Sequence, residues 1–589
     1  MRRNRSSLLA LFPEPVRARF HFPISTAIRR ALASGYDRAA FKADVLAGMV
    51  VGIVALPLCM ALAIAVGVPP QHGLYTAIVA GIVVALTGGS KFQVTGPTAA
   101  FVVILAPIAS RHGLSGLLTA GLMAGVLLVA MGAARLGKLI QFIPHPVTTG
   151  FTAGIATVIA TLQLKDALGL SLVMPETYLE KVVAIWNARA ETSLPDVCAA
   201  LATIAILIAL PKWRPGWTAR VPAPLVAMVL VSLGVLIVCH LVPSIHVATL
   251  GSRFQFQLDG QTVAGIPAIP PTPILPWGSG GLSLGALSSL GSAAFAIAML
   301  GAIESLLSAV VADGMTGKRH DPDAELIGLG LGNIVAPFFG GIAATGALAR
   351  TATNVRAGAR SPFSAVTHSV VVLLAVVLLA PLLAHVPMAA LAGLLLVVAW
   401  NMSEVRHFAT TMRIAPKSDV FVLLTCYVLT VVFDMVIAVS VGIVLASLLF
   451  MKRTAEVTHS RLLEERAGEL EFDLPPGVAV YEVAGPLFFG AAQNAMGALQ
   501  NVSSSNKVVV LALGHVPSID ATGLVALESA LARLKAAKKL VVVSGPLPEP
   551  RRVFDRASLP DHHDHLYFAD TFTAGLALAR RLAGPEHGG

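Results

Sequence analysis

Two stretches of this chain combine a Gly-Gly break with a Thr-Gly step and then small residues opening an apolar run. The first is Gly88-Gly89-Ser90-Lys91-Phe92-Gln93-Val94-Thr95-Gly96-Pro97-Thr98-Ala99-Ala100-Phe101. The second is Gly340-Gly341-Ile342-Ala343-Ala344-Thr345-Gly346-Ala347-Leu348-Ala349-Arg350-Thr351. A half-helix that begins inside a bilayer presents N–H groups without helical partners and the positive end of its dipole, and both favour an anion. Either stretch alone could simply serve helix packing or a kink. Broken helices at matching positions of two halves point to a transporter's binding site. The candidate substrate contacts are therefore Thr95, Gly96, Thr98 and Ala99 from the first stretch, and Gly346, Ala349, Arg350 and Thr351 from the second.

Two ionisable groups in this apolar setting can carry chemistry. The guanidinium of Arg350 keeps its proton and pairs well with carboxylates and other oxyanions. Glu304 is the one charge in Ser292–Ala312. Even mild insertion scales put a central carboxylate about 2.5–3.5 kcal/mol against insertion, so such a residue needs a role. It can take up and release a proton, ligate Na⁺ through oxygen, or neutralise Arg350 as a structural ion pair. Pro57 interrupts the first apolar span, where it frees a carbonyl and kinks the helix, opening the wall of a site or merely bending it. Asp313, His368, His145 and Asp434 lie near expected span ends and read as interfacial or packed polar groups. Asp561-His562-His563-Asp564-His565 could hold a metal but reads better as a surface loop. No nucleophile elbow, P-loop, dinucleotide fingerprint or zinc spacing occurs. The expectation is a protein that is not an enzyme, with no cofactor and no metal.

The elements that must position these residues are membrane helices. The chain of 589 residues is 56% hydrophobic and 13% charged, with a mean hydropathy of +0.78. Soluble chains carry about 25% charge. The net charge of +10 is spread over an N-terminal arm and short loops, which is a topology signal and not a nucleic-acid surface. The four cysteines lie in apolar runs without metal spacing. Spans are expected at 44–66, 73–88, 94–110, 114–134, 146–164, 196–211 and 222–240, and again at 285–311, 325–340, 344–358, 361–385, 387–402, 418–433 and 434–451. With the N-terminus inside, Lys91, Arg135, Lys138, Lys212, Lys318, Arg319, Arg356, Arg360, Arg406 and Arg413 fall in cytoplasmic loops, while the opposite loops carry few cations. Both termini are then expected to be cytoplasmic, with residues 1–43 a basic arm that carries a short amphipathic piece. Residues 241–284, rich in Pro and Gly, read as an irregular linker between halves.

After Arg453 the composition becomes that of a soluble α/β domain, expected over 470–584. Strands are expected at Val478–Val483, Lys507–Leu513 and Leu540–Ser544. Helices are expected at Phe488–Leu499, Ala521–Ala537 and Thr571–Leu582.

Pro70-Gln71-His72-Gly73-Leu74-Tyr75-Thr76-Ala77 resembles the signature of the SulP (sulfate permease) anion transporters, with His72 where Tyr is more usual. Thr95-Gly96-Pro97-Thr98-Ala99 and Ala347-Leu348-Ala349-Arg350-Thr351-Ala352-Thr353-Asn354 resemble that family's third and tenth helix motifs. Ser518-Ile519-Asp520-Ala521-Thr522-Gly523-Leu524 is similar to the strand-to-helix turn of its C-terminal STAS domain. Several segments, among them Val397-Val398-Ala399-Trp400-Asn401-Met402-Ser403-Glu404, resemble the family's bacterial aerobic C4-dicarboxylate carriers. Pro57-Leu58 replaces the Pro-Gln common in sulfate-type members.

The resemblance implies a 14-span, 7+7 inverted-repeat transporter domain with core and gate parts, an elevator-like cycle and a homodimer. It places the anion between the half-helices and gives Glu304 to H⁺ or Na⁺ coupling. It also implies a regulatory STAS domain with Thr522 and Asp520 as candidate residues and a soluble cytoplasmic partner. The function expected is import of C4-dicarboxylates such as succinate, fumarate or aspartate across a bacterial inner membrane by proton symport. Sulfate or bicarbonate is the alternative substrate. A membrane-anchored STAS signalling protein is the alternative of a different class.

Overall fold

The computed structural model describes residues 23–138, 144–175, 177–213, 222–258, 261–278, 281, 283–433, 435–463, 474–497, 499, 502–503, 505–559 and 564–584. Residues 1–22 of the basic arm, Asp434, and residues 561–563 of the histidine loop lie outside the described residues. The chain divides into two units, Met1–Ile443 and Val444–Gly589.

The first unit is helical. Its first half runs α1 (Thr26–Ala33), α2 (Arg38–Val66), α3 (Pro70–Thr87), β1 (Thr95–Gly96), α4 (Ala99–Ala133), α5 (His145–Ala167), α6 (Tyr178–Asn187), α7 (Leu194–Trp213) and α8 (Ala223–Leu241). After a hairpin of β2 (Gln255–Leu258) and β3 (Gln261–Ala264), the second half runs α9 (Leu284–Thr316), α10 (Pro322–Val335), β4 (Thr345–Gly346), α11 (Leu348–Arg356), α12 (Phe363–Leu383), α13 (Met388–Ser403), α14 (Val405–Ile414), α15 (Lys417–Val432) and the start of α16 (Met435–Val457), whose residues from Val444 on belong to the second unit. The local causes are readable. Asp37 accepts from Ala40 N at 2.7 Å to start α2, and Gly67 at φ 92° ends it in the left-handed conformation. Prolines at the first turn open α3, α5, α8 and α10, where their missing N–H costs nothing.

Among the described residues, ten helices are long and apolar enough to cross a membrane. The fourteen expected segments each fall on a helix, but not each on a full span. The third and fourth, both carried under the label α4, are two helices that meet at a kink at the non-helical Gly113 (φ 65°, ψ −169°), as expected. The ninth, tenth and thirteenth are α10, α11 and α15, with 14, 9 and 16 residues. These are short of the ~20 residues a straight span needs. The stretch read as an irregular linker, 241–284, contains the β2–β3 hairpin, and α6 lies within 165–195.

Packing sorts the helices into two groups. In one, α10 packs on α4 and α3, α12 on α2 and α3, and α9 on α4 and α11. In the other, α13 and α15 pack on α5, and α7 on α13 and α8. Small residues set the closest approaches. A Cβ added at Gly125 would lie 2.7 Å from Gly330 O, and one at Gly330 would lie 2.7 Å from Gly125 O. That reciprocal pair lets α4 and α10 meet backbone to backbone, as small residues do between membrane helices.

The second unit holds a five-stranded sheet in the order β5 (His459–Leu463), β6 (Val478–Ala484), β7 (Val508–His515), β8 (Leu540–Ser544) and β9 (Leu566–Ala569). The β5–β6 pair is antiparallel and the rest are parallel. Helices α17 (Phe489–Gly497), α18 (Ala521–Ala536), α19 (Pro548–Arg556) and α20 (Phe572–Ala583) complete it. Strand residues alternate between two apolar layers. Tyr481, Val509, Leu511 and Val543 enter one with Leu527 and Phe554, while Val480, Val508, Val510 and Val542 enter the other with Ala579. Parallel strands covered on both faces read as continuous Val/Leu runs, which is why their sequence stood out. Strands β5 and β9 and helix α19 were not foreseen.

Asp520 starts α18, its Oδ1 accepting from Gly523 N at 2.7 Å. Asp520→Ala should cost the domain about 1 kcal/mol, the usual value of a lost N-cap. Hydrogen exchange at α18 amides checks this. Thr522 is exposed one residue into the helix.

Candidate functional site

The two broken stretches meet. Thr95 pairs with Gly346 and Gly96 with Thr345 in a two-residue antiparallel ladder. Because β1 and β4 run oppositely, α4 and α11 leave the crossing in opposite directions, and their N-termini face a common point. Neither N-terminus is closed by a capping side chain: Thr98 and Ala347 occupy the cap positions without a side-chain cap bond. Two positive dipole ends therefore converge, each worth roughly half a charge.

Each crossing strand is held by the other half of the chain. Glu325, in the first turn of α10, accepts from Gly89 N and Ser90 N at 2.8 Å each and from Gln93 Nε2 at 2.7 Å. Gln93 Nε2 also donates to Ser305 Oγ at 2.5 Å. Reciprocally, α3 holds the second linker. His72 Nδ1 lies 2.7 Å from Gly340 O, and Thr76 Oγ1 donates to Ile342 O at 3.0 Å. Asn333 completes that grip, donating to Ala344 O and accepting from Ala344 N, both at 2.8 Å. Glu325 of α10 thus clamps the linker of the first half, and His72 and Thr76 of α3 clamp that of the second, which Asn333 of α10 also holds. Buried polar networks of this kind fix one geometry when their members are satisfied.

Arg350 is 2% exposed. Its Nη2 donates to Pro97 O, at the entrance to α4, and its Nη1 lies 3.6 Å from Cys59 Sγ on α2. Its Nε is buried and makes no hydrogen bond, and the same holds for Thr95 Oγ1. Among the described residues Arg350 makes no ion pair within 4.0 Å. The structural Arg350–Glu304 bridge that the sequence left open is therefore not formed. Glu304 is half-buried, and its Oε2 accepts from Thr98 Oγ1 at 2.8 Å. Thr98 thus links the start of α4 to α9.

The remaining candidates fall into place differently. Gly96 and Gly346 are backbone positions in the ladder. A Cβ at Gly96 would strike Arg350 Nη1, and one at Gly346 would strike Gln93 Nε2. Ala99 is buried at the first turn of α4, and Ala349 is exposed at that of α11. Thr351 is turned into the protein, accepting from Val94 N and Ser308 Oγ at 3.1 Å each, so it ties strand to helix. Pro57 is buried in α2, half a turn before Cys59. Cys59, His72, Gln93, Glu325 and Asn333 were not picked out as site residues. We expect Gly346→Ala to cut transport at least tenfold while the protein still reaches the membrane, because the added methyl displaces the Gln93 amide from the crossing. Uptake normalised to membrane-embedded protein tests this.

The family description "Sulfate permease family" matches residues 41–426. This chain belongs to the sulfate permease family. A STAS domain matches residues 469–570. The "Putative sulfate transporter YvdB" of Bacillus subtilis (strain 168) is 40% identical over 545 residues, covering 90% of this chain and 98% of that protein. The "Bicarbonate transporter BicA" of Picosynechococcus sp. is 28% identical over 550 residues, covering 88% and 91%. The murine Slc26a9 anion transporter, in an inward-facing state, superposes with a TM-score of 0.82 over 95% of this chain and 94% of that one. Its 16% identity makes that a likeness of fold. This member of the sulfate permease family is a multi-pass membrane transporter and not an enzyme.

Proposed function

We propose that the chain is a secondary active importer in which a small oxyanion binds between α4 and α11, contacts Arg350, and moves with a proton carried by Glu304. The observation that carries the anion reading is the buried Arg350 guanidinium, with Nε unengaged, between two uncapped helix N-termini. A fixed cation of five N–H donors whose Nε–H is buried and unspent is suited to an oxyanion. The coupling reading is supported by Glu304, whose Oε2 accepts a hydrogen bond from Thr98 Oγ1 at the start of α4. Occupancy at α4 and protonation at α9 then communicate through one side chain.

The substrate class we assign is the C4-dicarboxylates, on the strength of the segments that resemble carriers of those anions. The physics of import agrees with proton symport. A dianion entering an inside-negative cell opposes about 2.3 kcal/mol per charge per 100 mV, and co-transported protons remove that cost. A second reading, sulfate or bicarbonate, is favoured by the names of the relatives above. The two groups of helices are suited to serve as a moving core and a static gate in an elevator-like cycle. Assembly as a homodimer in a bacterial inner membrane, cytoplasmic termini, and a regulatory partner at the STAS domain complete the proposal.

Competition decides between substrates. Unlabelled fumarate and aspartate should suppress labelled succinate uptake into proteoliposomes, and equimolar sulfate or bicarbonate should not. Suppression by sulfate or bicarbonate alone would move the assignment to that anion. Uptake by a chain truncated after Arg453 argues against a purely signalling role.

A further inference from the structure

Basic side chains from three separate segments gather at the end of the first linker. They are Arg30 on α1, Lys91 in the linker, and Lys318 with Arg319 in the turn that closes α9 at Gly317 (φ 68°). The gathering is built by backbone contacts. Ser25 N donates to Thr87 O at 2.7 Å and Ala27 N to Gly88 O at 3.4 Å, which seats α1 on the end of α3. Arg30 Nη1 donates to Arg319 O at 3.3 Å, and Asp321 N donates to Gly89 O at 3.2 Å. Partial burial, and then the charges of Lys318 and Arg30, hold Lys91 below the ordinary lysine range.

The neighbouring acids have partners of their own, and one of them, Asp321, pairs with Arg30 of the cluster. Asp321 caps α10 through Ala324 N at 3.2 Å and lies 3.9 Å from Arg30. Asp313 pairs with His320 at 2.7 Å, and Glu325 serves Gly89, Ser90 and Gln93. Among the described residues Lys91, Lys318 and Arg319 make no ion pair within 4.0 Å. A topology bias explains why this face is basic. It does not explain why like charges from three segments converge on the linker that aims the half-helix α4.

We propose that this cluster is a binding site for a phosphate-bearing anion, with Lys91 and Lys318 as its main ligands, and that occupancy holds the first linker in its working geometry. An anion there relieves the repulsion and joins α1, the linker and the end of α9 into one block. The charge bias assigns this face to the cytoplasm, so the anion is either an inner-leaflet phospholipid headgroup or a soluble phosphate. Juxtamembrane basic clusters recognise both by the same chemistry.

The test uses the full-length protein in phosphatidylcholine vesicles, alone, with added phosphatidylglycerol, or with inorganic phosphate. The unfolding midpoint is read beside the transport rate, so the result stands whichever anion is carried. Phosphatidylglycerol should raise the midpoint and increase the rate several-fold for the wild type. Lys91→Gln/Lys318→Gln should match the wild type in phosphatidylcholine and gain neither effect, whereas Lys91→Arg/Lys318→Arg should keep both. The same differential response to inorganic phosphate would make the source soluble. Equal responses of the wild type and the Gln variant to both probes would overturn the site. A photoreactive phosphatidylglycerol supplies a test without variants. Labelling of residues 88–91 and 317–319 is expected, and labelling only elsewhere on the protein, with no differential response to phosphate, would contradict the proposal.

Discussion

Arg350→Gln is expected to abolish measurable uptake while leaving the protein in the membrane. Arg350 is the buried cation at the crossing, and its Nη2 is tied to Pro97 O, where α4 begins. Losing a charge that a buried oxyanion depends on costs about 2–5 kcal/mol. That is roughly 30- to 4000-fold in affinity. Arg350→Lys should not rescue, since a single ammonium cannot bond Pro97 O and reach Cys59 and an anion together with the fixed fork of a guanidinium. Substrate binding to purified protein separates this effect from misfolding. Near-native affinity in Arg350→Gln would remove the residue from the site.

Glu304→Gln is expected to separate binding from coupling. The amide keeps the size of the carboxyl group and can still accept from Thr98 Oγ1, so the start of α4 stays in place. It cannot exchange a proton at neutral pH. Uptake driven by a pH gradient should therefore fall at least tenfold, while exchange of labelled for unlabelled substrate persists. Loss of both activities would make Glu304 a structural support of α4. Retention of gradient-driven accumulation would place the proton elsewhere.

The parts of this arrangement legible in the sequence are those with a local signature. Gly-Gly and Thr-Gly in two apolar contexts announced the broken helices, and the pairing of Thr95 with Gly346 follows from their kinship. Arg350 and Glu304 stood out because charge in an apolar run is costly. The clamps had no such signature. Glu325 follows Asp321-Pro322-Asp323-Ala324 and looked like one more acid at a helix start, where acids are common. Only the fold brings Gly89, Ser90 and Gln93 to it. His72 looked like a family departure. Asn333 and Cys59 looked like ordinary helix residues. The same holds for the fold. The Val-rich strands β6, β7 and β8 were readable because both their faces are buried. Strand β5 hides in a charged stretch, and the β2–β3 hairpin hides among prolines and glycines.

The account's central claim is tested most directly by following labelled succinate into wild-type proteoliposomes under an imposed inward proton gradient. The prediction is accumulation above the external concentration that collapses when a protonophore is added. Absence of succinate accumulation, with gradient-independent flux of sulfate or bicarbonate in the same vesicles, would contradict proton-coupled dicarboxylate import while leaving the anion site between α4 and α11 in place.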